Sequence, residues 1–220
     1  MCERCSIDKV FHKKMIEQKT IVVLGQRRSG TSMISGILYY LGIPVGGGPG
    51  QVGEFNEKGF FEDRDIIKIS EEILKVKPEN SQDYTDRIKM VVDMKAEQGI
   101  WAFKDVNQVE LHPLYQPLLP NPYYLFIFRN PVSCTQSLLR WHDYFDFDQT
   151  FKAINQRNLR LAQMYETYNR NYPCLLISYE QYLESPVEKV QEIIDFLGIE
   201  VSEEEKQRAV NHIDPKSKYF

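Results

Sequence analysis

Short apolar runs alternate with longer amphipathic stretches along this chain, and that alternation sets the first expectation about its fold. The run Thr20-Ile21-Val22-Val23-Leu24 is short and β-branched and stops at Gly25, as a strand buried on both faces does. From Thr31 onward, Ile34, Ile37, Leu38 and Leu41 fall at helical spacing, and the stretch ends at Gly42. Residues 44–60 carry Gly46, Gly47, Gly48, Gly50 and Gly53 and read as a loop, of a length that is frequently functional. Helical stretches follow over 63–76 and 84–98, and then a short strand at Trp101-Ala102-Phe103. Tyr123 to Phe128 is a strong strand pattern, closed by Arg129-Asn130-Pro131 and followed by a helix through Ser137, Leu138 and Leu139. A helix over 151–168, a strand over 174–177 and two helices near 187–197 and 202–212 complete the pattern.

Strands separated by helices in this order predict an α/β fold, a three-layer sandwich with a central parallel sheet flanked by helices. Ligands of such sheets bind outside the carboxyl ends of the strands. That rule points to the residues after Leu24, after Phe103 and after Phe128. At 220 residues the chain is read as one domain over 1–220, with an N-terminal extension over 1–18 and a C-terminal tail over 213–220.

With 42% hydrophobic and 12% aromatic residues, the composition excludes disorder and collagen-like structure. Lys and Arg number 27 against 31 Asp and Glu, so the formal net charge is -4. A protein that holds long nucleic acid by bulk electrostatics is thereby excluded, and any anion site has to be local. No run approaches the ~18 consecutive apolar residues of a membrane span, and Glu3, Arg4, Asp8 and Lys9 break up the N-terminus, so the chain reads as cytoplasmic. Its four cysteines are too few for a disulfide framework. Cys2 and Cys5 form a C-x-x-C with only His12 nearby, short of the four ligands of a zinc site, so no metal is assigned.

Chemistry concentrates in two strand-to-helix junctions. In Gly25-Gln26-Arg27-Arg28-Ser29-Gly30-Thr31-Ser32, successive backbone N–H groups and the positive end of the following helix can cradle a phosphate. The loop departs from the G-x-x-x-x-G-K-[ST] pattern of nucleotide triphosphatases, because Thr31 stands where that pattern has Lys. Its fixed cation is Arg28, two positions before Gly30. The second junction sets Arg129 at a strand end and Ser137 eight residues on, and an Arg fork with a hydroxyl donor suits a terminal phosphate.

Residues 21–32 and 126–137 resemble the two phosphate-binding segments of sulfotransferases that use 3'-phosphoadenosine 5'-phosphosulfate (PAPS). The resemblance extends through Gly-Phe-Phe-Glu-Asp (59–63), Ala-Phe-Lys-Asp (102–105), the segment 178–186 and Phe-Leu-Gly (196–198), and is similar to a bacterial subgroup with an Arg-Ser-Gly-Thr-Ser loop. It implies a P-loop nucleoside-triphosphate-hydrolase-like sulfotransferase fold. It also implies that Arg27, Arg28, Ser29, Gly30, Thr31 and Ser32 hold the 5'-phosphosulfate, that Arg129 and Ser137 hold the 3'-phosphate, and that adenosine 3',5'-bisphosphate is the product, with no metal required. The subgroup continues Lys-Asp with Pro-Arg, whereas Val106 and Asn107 follow Asp105 here.

Sulfuryl transfer needs charge stabilisation at the leaving oxygen, suited to Arg28, and a general base for the acceptor hydroxyl or amine. The resemblance to carbohydrate sulfotransferases favours Glu57, ahead of Gly59-Phe60-Phe61, and that to the bacterial subgroup favours Glu62. His112 and His142 are further alternatives, although His112 before Pro113 reads as a turn residue. Lys104, at a strand end, is a second binding candidate. Acceptor walls are expected from the glycine-rich loop and from the aromatic segment 141–147, for a small-molecule or carbohydrate acceptor. Two rival readings remain: a P-loop kinase, which would use Asp105 to hold magnesium, and a nucleotide-binding protein of the same fold without catalysis.

Overall fold

The computed structural model describes residues 18–50, 59–76, 81–140 and 145–213. Strand β1 (Lys19–Gly25) is buried along its whole length and leads through the first phosphate-binding candidate into α1 (Thr31–Tyr40). After the glycine-rich segment come α2 (Arg64–Val76), α3 (Ser81–Ala96) and β2 (Ile100–Lys104). Helix α4 (Gln108–Tyr115) crosses to β3 (Pro122–Phe128), which leads into α5 (Pro131–Leu139) and the long α6 (Phe147–Tyr168). The chain closes with β4 (Cys174–Ser178), α7 (Tyr179–Glu184), α8 (Pro186–Leu197) and α9 (Glu203–His212). None of the helices among the described residues is long and apolar enough to cross a membrane.

All four strands are parallel, in the order β2-β1-β3-β4. Side chains alternate between the two faces, which is why every position of β1 is apolar or paired. Ile21 and Val23 join Leu125, Ile127 and Ile177 beneath α1, α8 and α9. Val22 and Leu24 join Trp101, Phe103, Tyr124 and Phe126 beneath α2, α3, α4 and α6. The three layers expected from the alternation are thus present, with a core on each side of the sheet.

From β1 the chain moves outward to β2 and then returns past β1 to β3, so the strand order reverses between β1 and β3. In open α/β sheets that crevice is where ligands bind. Register lines up the carboxyl ends: Val23 faces Lys104, Gly25 faces Ile127 and Phe128 faces Ser178. The residues that follow these ends form one rim.

Two close approaches fix the surroundings of that rim. Ala102 donates its backbone N–H to the Pro44 carbonyl at 2.8 Å, so the glycine-rich segment begins as a cover for the open edge of β2. Gly36 of α1 lies against His212 of α9, and a Cβ there would come 2.0 Å from Nε2. A methyl-sized addition at a contact that tight has to displace the His212 ring or part the two helices.

Candidate functional site

The first loop is shaped by Gly30, which caps α1 in a left-handed conformation at φ 101°. Its residues turn back on themselves through Ser29 N–H to the Gln26 carbonyl at 3.2 Å. Helix α1 then begins with no acidic residue in its first turn, so the positive end of its dipole is left for an exogenous anion. Ser29 Oγ is buried without a hydrogen-bond partner, and a Cβ on Gly25 would come 2.6 Å from it. A buried hydroxyl without a partner is costly unless something supplies one. Arg28 has φ 67°, a strained value for a side-chain-bearing residue, and that conformation accompanies its contact with the second segment.

Arg28 Nε donates to Ser137 Oγ at 2.9 Å, and Arg129 Nη1 donates to the Arg28 carbonyl at 3.0 Å. The two junctions singled out in the sequence, about a hundred positions apart, therefore meet as one constellation. Arg129 is 7% exposed, far from the surface arginine that a strand end ordinarily presents. Burial lowers the pKa of the Arg28 guanidinium, and the like charge of Arg129 adds to the effect. Arg28 nonetheless stays charged at any physiological pH. Two partly desolvated guanidiniums of like sign form a site that an anion would stabilise.

Lys104 and Glu62 form a second cluster at the end of β2. Lys104 is 2% exposed, and its Nζ donates to Glu62 Oε1 at 2.7 Å. Burial depresses the Lys104 pKa, and the charge and hydrogen bond of Glu62 oppose it. Glu62, with 27% of its side chain exposed, keeps access to solvent and so to a ligand. Its backbone is pinned from both sides. Phe61 before it is fully buried at φ 54°, Asp63 after it is buried, and the Glu62 carbonyl accepts from Gly47 N–H at 2.8 Å. Gly46 makes that crossing feasible, since a Cβ there would come 2.4 Å from Asp63 N. The glycine-rich loop thus earns its composition by letting two backbones cross behind Glu62.

Of the remaining candidates, Arg27 is exposed on the loop, Thr31 is buried at the start of α1, and Ser32 Oγ donates to the Phe60 carbonyl at 3.4 Å. Glu57 and His142 lie outside the described residues, as do Cys2, Cys5 and most of the 141–147 segment. His112 is no turn residue. It lies in α4, fully buried, with Nδ1 on Gln108 Oε1 at 3.1 Å and Nε2 on the Tyr124 hydroxyl at 3.2 Å. Desolvation lowers its pKa to about 3, which suits a neutral packing group rather than a base at the rim. Asp105 is buried, its Oδ1 accepting from Asn107 N–H at 2.8 Å, and burial raises its pKa.

One member of the rim carried no role in the sequence reading. Tyr179, directly after β4, holds the Arg129 guanidinium over its ring at 4.4 Å from Cζ to centroid. The only signal for it was its place in the 178–186 segment.

A family described as the sulfotransferase domain matches residues 18–217 of the chain. No curated protein sequence matches it. Among solved structures, the fold is similar to the sulfotransferase domain of the Synechococcus PCC 7002 olefin synthase, at 17% identity and a TM-score of 0.57, over 90% of this chain and 82% of that one. Sulfotransferase STF9 from Mycobacterium avium gives 15% identity and a TM-score of 0.57, over 89% and 67% of the two chains. Retinol dehydratase, solved with retinol and PAP, gives 15% and 0.52, over 94% and 68%.

Proposed function

This chain belongs to the sulfotransferase domain family, and on that premise we propose that it moves a sulfuryl group from PAPS to a hydroxyl or amine of a small-molecule or carbohydrate acceptor. The observation that carries the reading is the meeting of the two phosphate segments through Arg28, Ser137 and Arg129. A donor bearing phosphates at both ends of a nucleoside needs two anion sites held at a fixed separation. The Gly30 turn, the start of α1 and the unpartnered Ser29 hydroxyl fit the 5'-phosphosulfate end. Arg129 with Ser137 fits the 3'-phosphate. That retinol dehydratase was solved with PAP, the bisphosphate product of such a donor, agrees with this reading.

In transfer, a bond forms from the acceptor oxygen or nitrogen to sulfur as the bond from sulfur to the phosphate oxygen breaks. Adenosine 3',5'-bisphosphate leaves, and the acceptor proton passes to a base. Arg28 and the loop amides stabilise the charge that develops on the leaving oxygen. Glu62 is the base we assign among the described residues, because its carboxylate is held beside Lys104 yet open to solvent. Lys104 orients that carboxylate through its 2.7 Å hydrogen bond. Every cation in this account is a side chain, so the mechanism draws on no metal.

Calorimetry with adenosine 3',5'-bisphosphate, AMP and ATP-magnesium tests the donor. We expect the bisphosphate to bind most tightly and Arg129→Ala to weaken it by about 10- to 100-fold, the range for one charged hydrogen-bonding group. A preference for ATP-magnesium that is indifferent to Arg129 would overturn the reading in favour of a kinase.

A further inference from the structure

We propose that a pocket along the outer edge of β2 is the subsite for an uncharged, hydroxyl-rich ring of the acceptor, the part that carries no reacting group. This rests on the transfer reading above and narrows its acceptor to a polyhydroxylated molecule of the sugar kind. The pocket is a cavity of about 660 Å³ bounded by the end of α1, the start of the glycine-rich segment and the end of α3. Small-molecule sites run from about 300 to 1,000 Å³. Ile43, Val45, Trp101 and Ala102 give it apolar walls, and Gly46, Gly47 and Gly48 line it with bare backbone. A Cβ at Gly48 would lie 3.7 Å from Tyr39 Cε2, so the missing side chain uncovers that ring, and Tyr39 is 39% exposed. The pocket adjoins the transfer centre through shared backbone. Asp63, in its lining, directly follows Glu62, and Gly47 N–H donates to the Glu62 carbonyl at 2.8 Å.

The polar groups choose the chemistry of the ligand. Asp63 and Lys95 are the charged residues of the lining, and they meet each other: Lys95 Nζ donates to Asp63 Oδ2 at 2.7 Å. Asp63 Oδ1 accepts from the backbone N–H groups of Asp65 and Ile66 at 3.1 and 3.3 Å. A cationic ligand would find that carboxylate already occupied. An anionic one would compete with it for Lys95 while facing Asp65, whose carboxylate lies 3.8 Å from the same Nζ. An apolar ligand would cover the remaining Lys95 N–H groups and the Gln98 carboxamide, which has no partner among the described residues, and leave them unpaired. Hydroxyl groups both donate and accept. A ring that bears several of them pairs with Lys95 and Gln98 without breaking the ion pair, while its C–H face lies on the apolar wall.

Amide proton–nitrogen NMR spectra of the full chain test this, with cellobiose, maltose and N,N'-diacetylchitobiose as neutral probes, maltobionate as a charged one and p-cresol as an apolar one. We expect at least one disaccharide to shift the amides of Gly46, Gly47, Gly48 and Gln98 saturably, with a Kd of about 1 mM or tighter, and to do so equally when bisphosphate is saturating. Gln98→Ala, at an exposed position, and Tyr39→Leu, which keeps apolar bulk and loses the ring, should each weaken that binding by about two- to tenfold. The subsite is overturned if no disaccharide binds, if maltobionate or p-cresol binds as tightly, or if either variant keeps the wild-type affinity. Shifts that fall on Ser29 to Ser32 instead, or that bisphosphate abolishes, overturn it too, because the sugar is then in the donor site. Titrating bisphosphate alone separates the two readings: its failure to bind overturns the donor assignment, whereas the subsite is decided by the sugar titrations.

Discussion

At the scale of single residues, what distinguishes this site is how few charges it uses and how firmly each is held. Lys104 is buried and paired, so its charge serves to orient Glu62 more than to meet solvent. This separates binding from chemistry in a testable way. Glu62→Gln keeps the size and one acceptor for Lys104 but cannot take a proton. We expect kcat to fall by about 100-fold or more while the bisphosphate affinity changes by less than about threefold. Equal losses in both quantities would make Glu62 a donor-binding residue, and unchanged kcat would move the base outside the described residues, to Glu57 or His142. The residue identities were readable because each stood beside a strand end or a glycine. Their pairings were not, since Arg28 and Ser137 are 109 positions apart and only the β1 and β3 registers bring them together.

At the scale of elements, the strands and the strongly periodic helices were legible because their signals are local: a β-branched run closed by glycine, or apolar residues at every third or fourth position. Helices α4 and α7 were not. Helix α4 carries Pro113 in its interior and α7 is only six residues long, so neither shows a readable period. His112 was misread for that reason, with Pro113 suggesting a turn where tertiary packing holds a helix. Its burial has a consequence for acid stability. The folded value is lowered to about 3 from an ordinary 6.5, so between those limits the unfolded chain binds a proton that the native state refuses. Stability therefore falls as pH drops from 6.5 towards 3, by about 1.4 kcal/mol per unit from this group alone. His112→Gln removes this dependence, and urea titrations at pH 7 and pH 4.5 should show a smaller loss in the variant than in the wild type. An identical loss would mean that His112 is protonated in the native state.

At the scale of the whole molecule, the charge distribution opposes the site. The chain carries a net -4, yet Arg27, Arg28, Arg129 and Lys104 gather at the carboxyl end of the sheet. An anionic donor thus approaches a protein that repels it at long range and attracts it at one rim. Salt separates the two contributions. The Debye length is about 10 Å at 0.1 M and about 3 Å at 1 M, so exposed charges fade with ionic strength while buried ones persist. Arg27 is exposed, whereas Arg129 is buried and hydrogen-bonded to the loop. Arg27→Ala should cost the bisphosphate about 0.2–1 kcal/mol at 50 mM salt, roughly a 1.5- to fivefold weaker Kd, and nothing measurable at 1 M. Arg129→Ala should retain most of its loss at 1 M. If the Arg27 effect also survives 1 M salt, its guanidinium bonds the donor directly, and the first loop then closes over the phosphosulfate with both of its arginines.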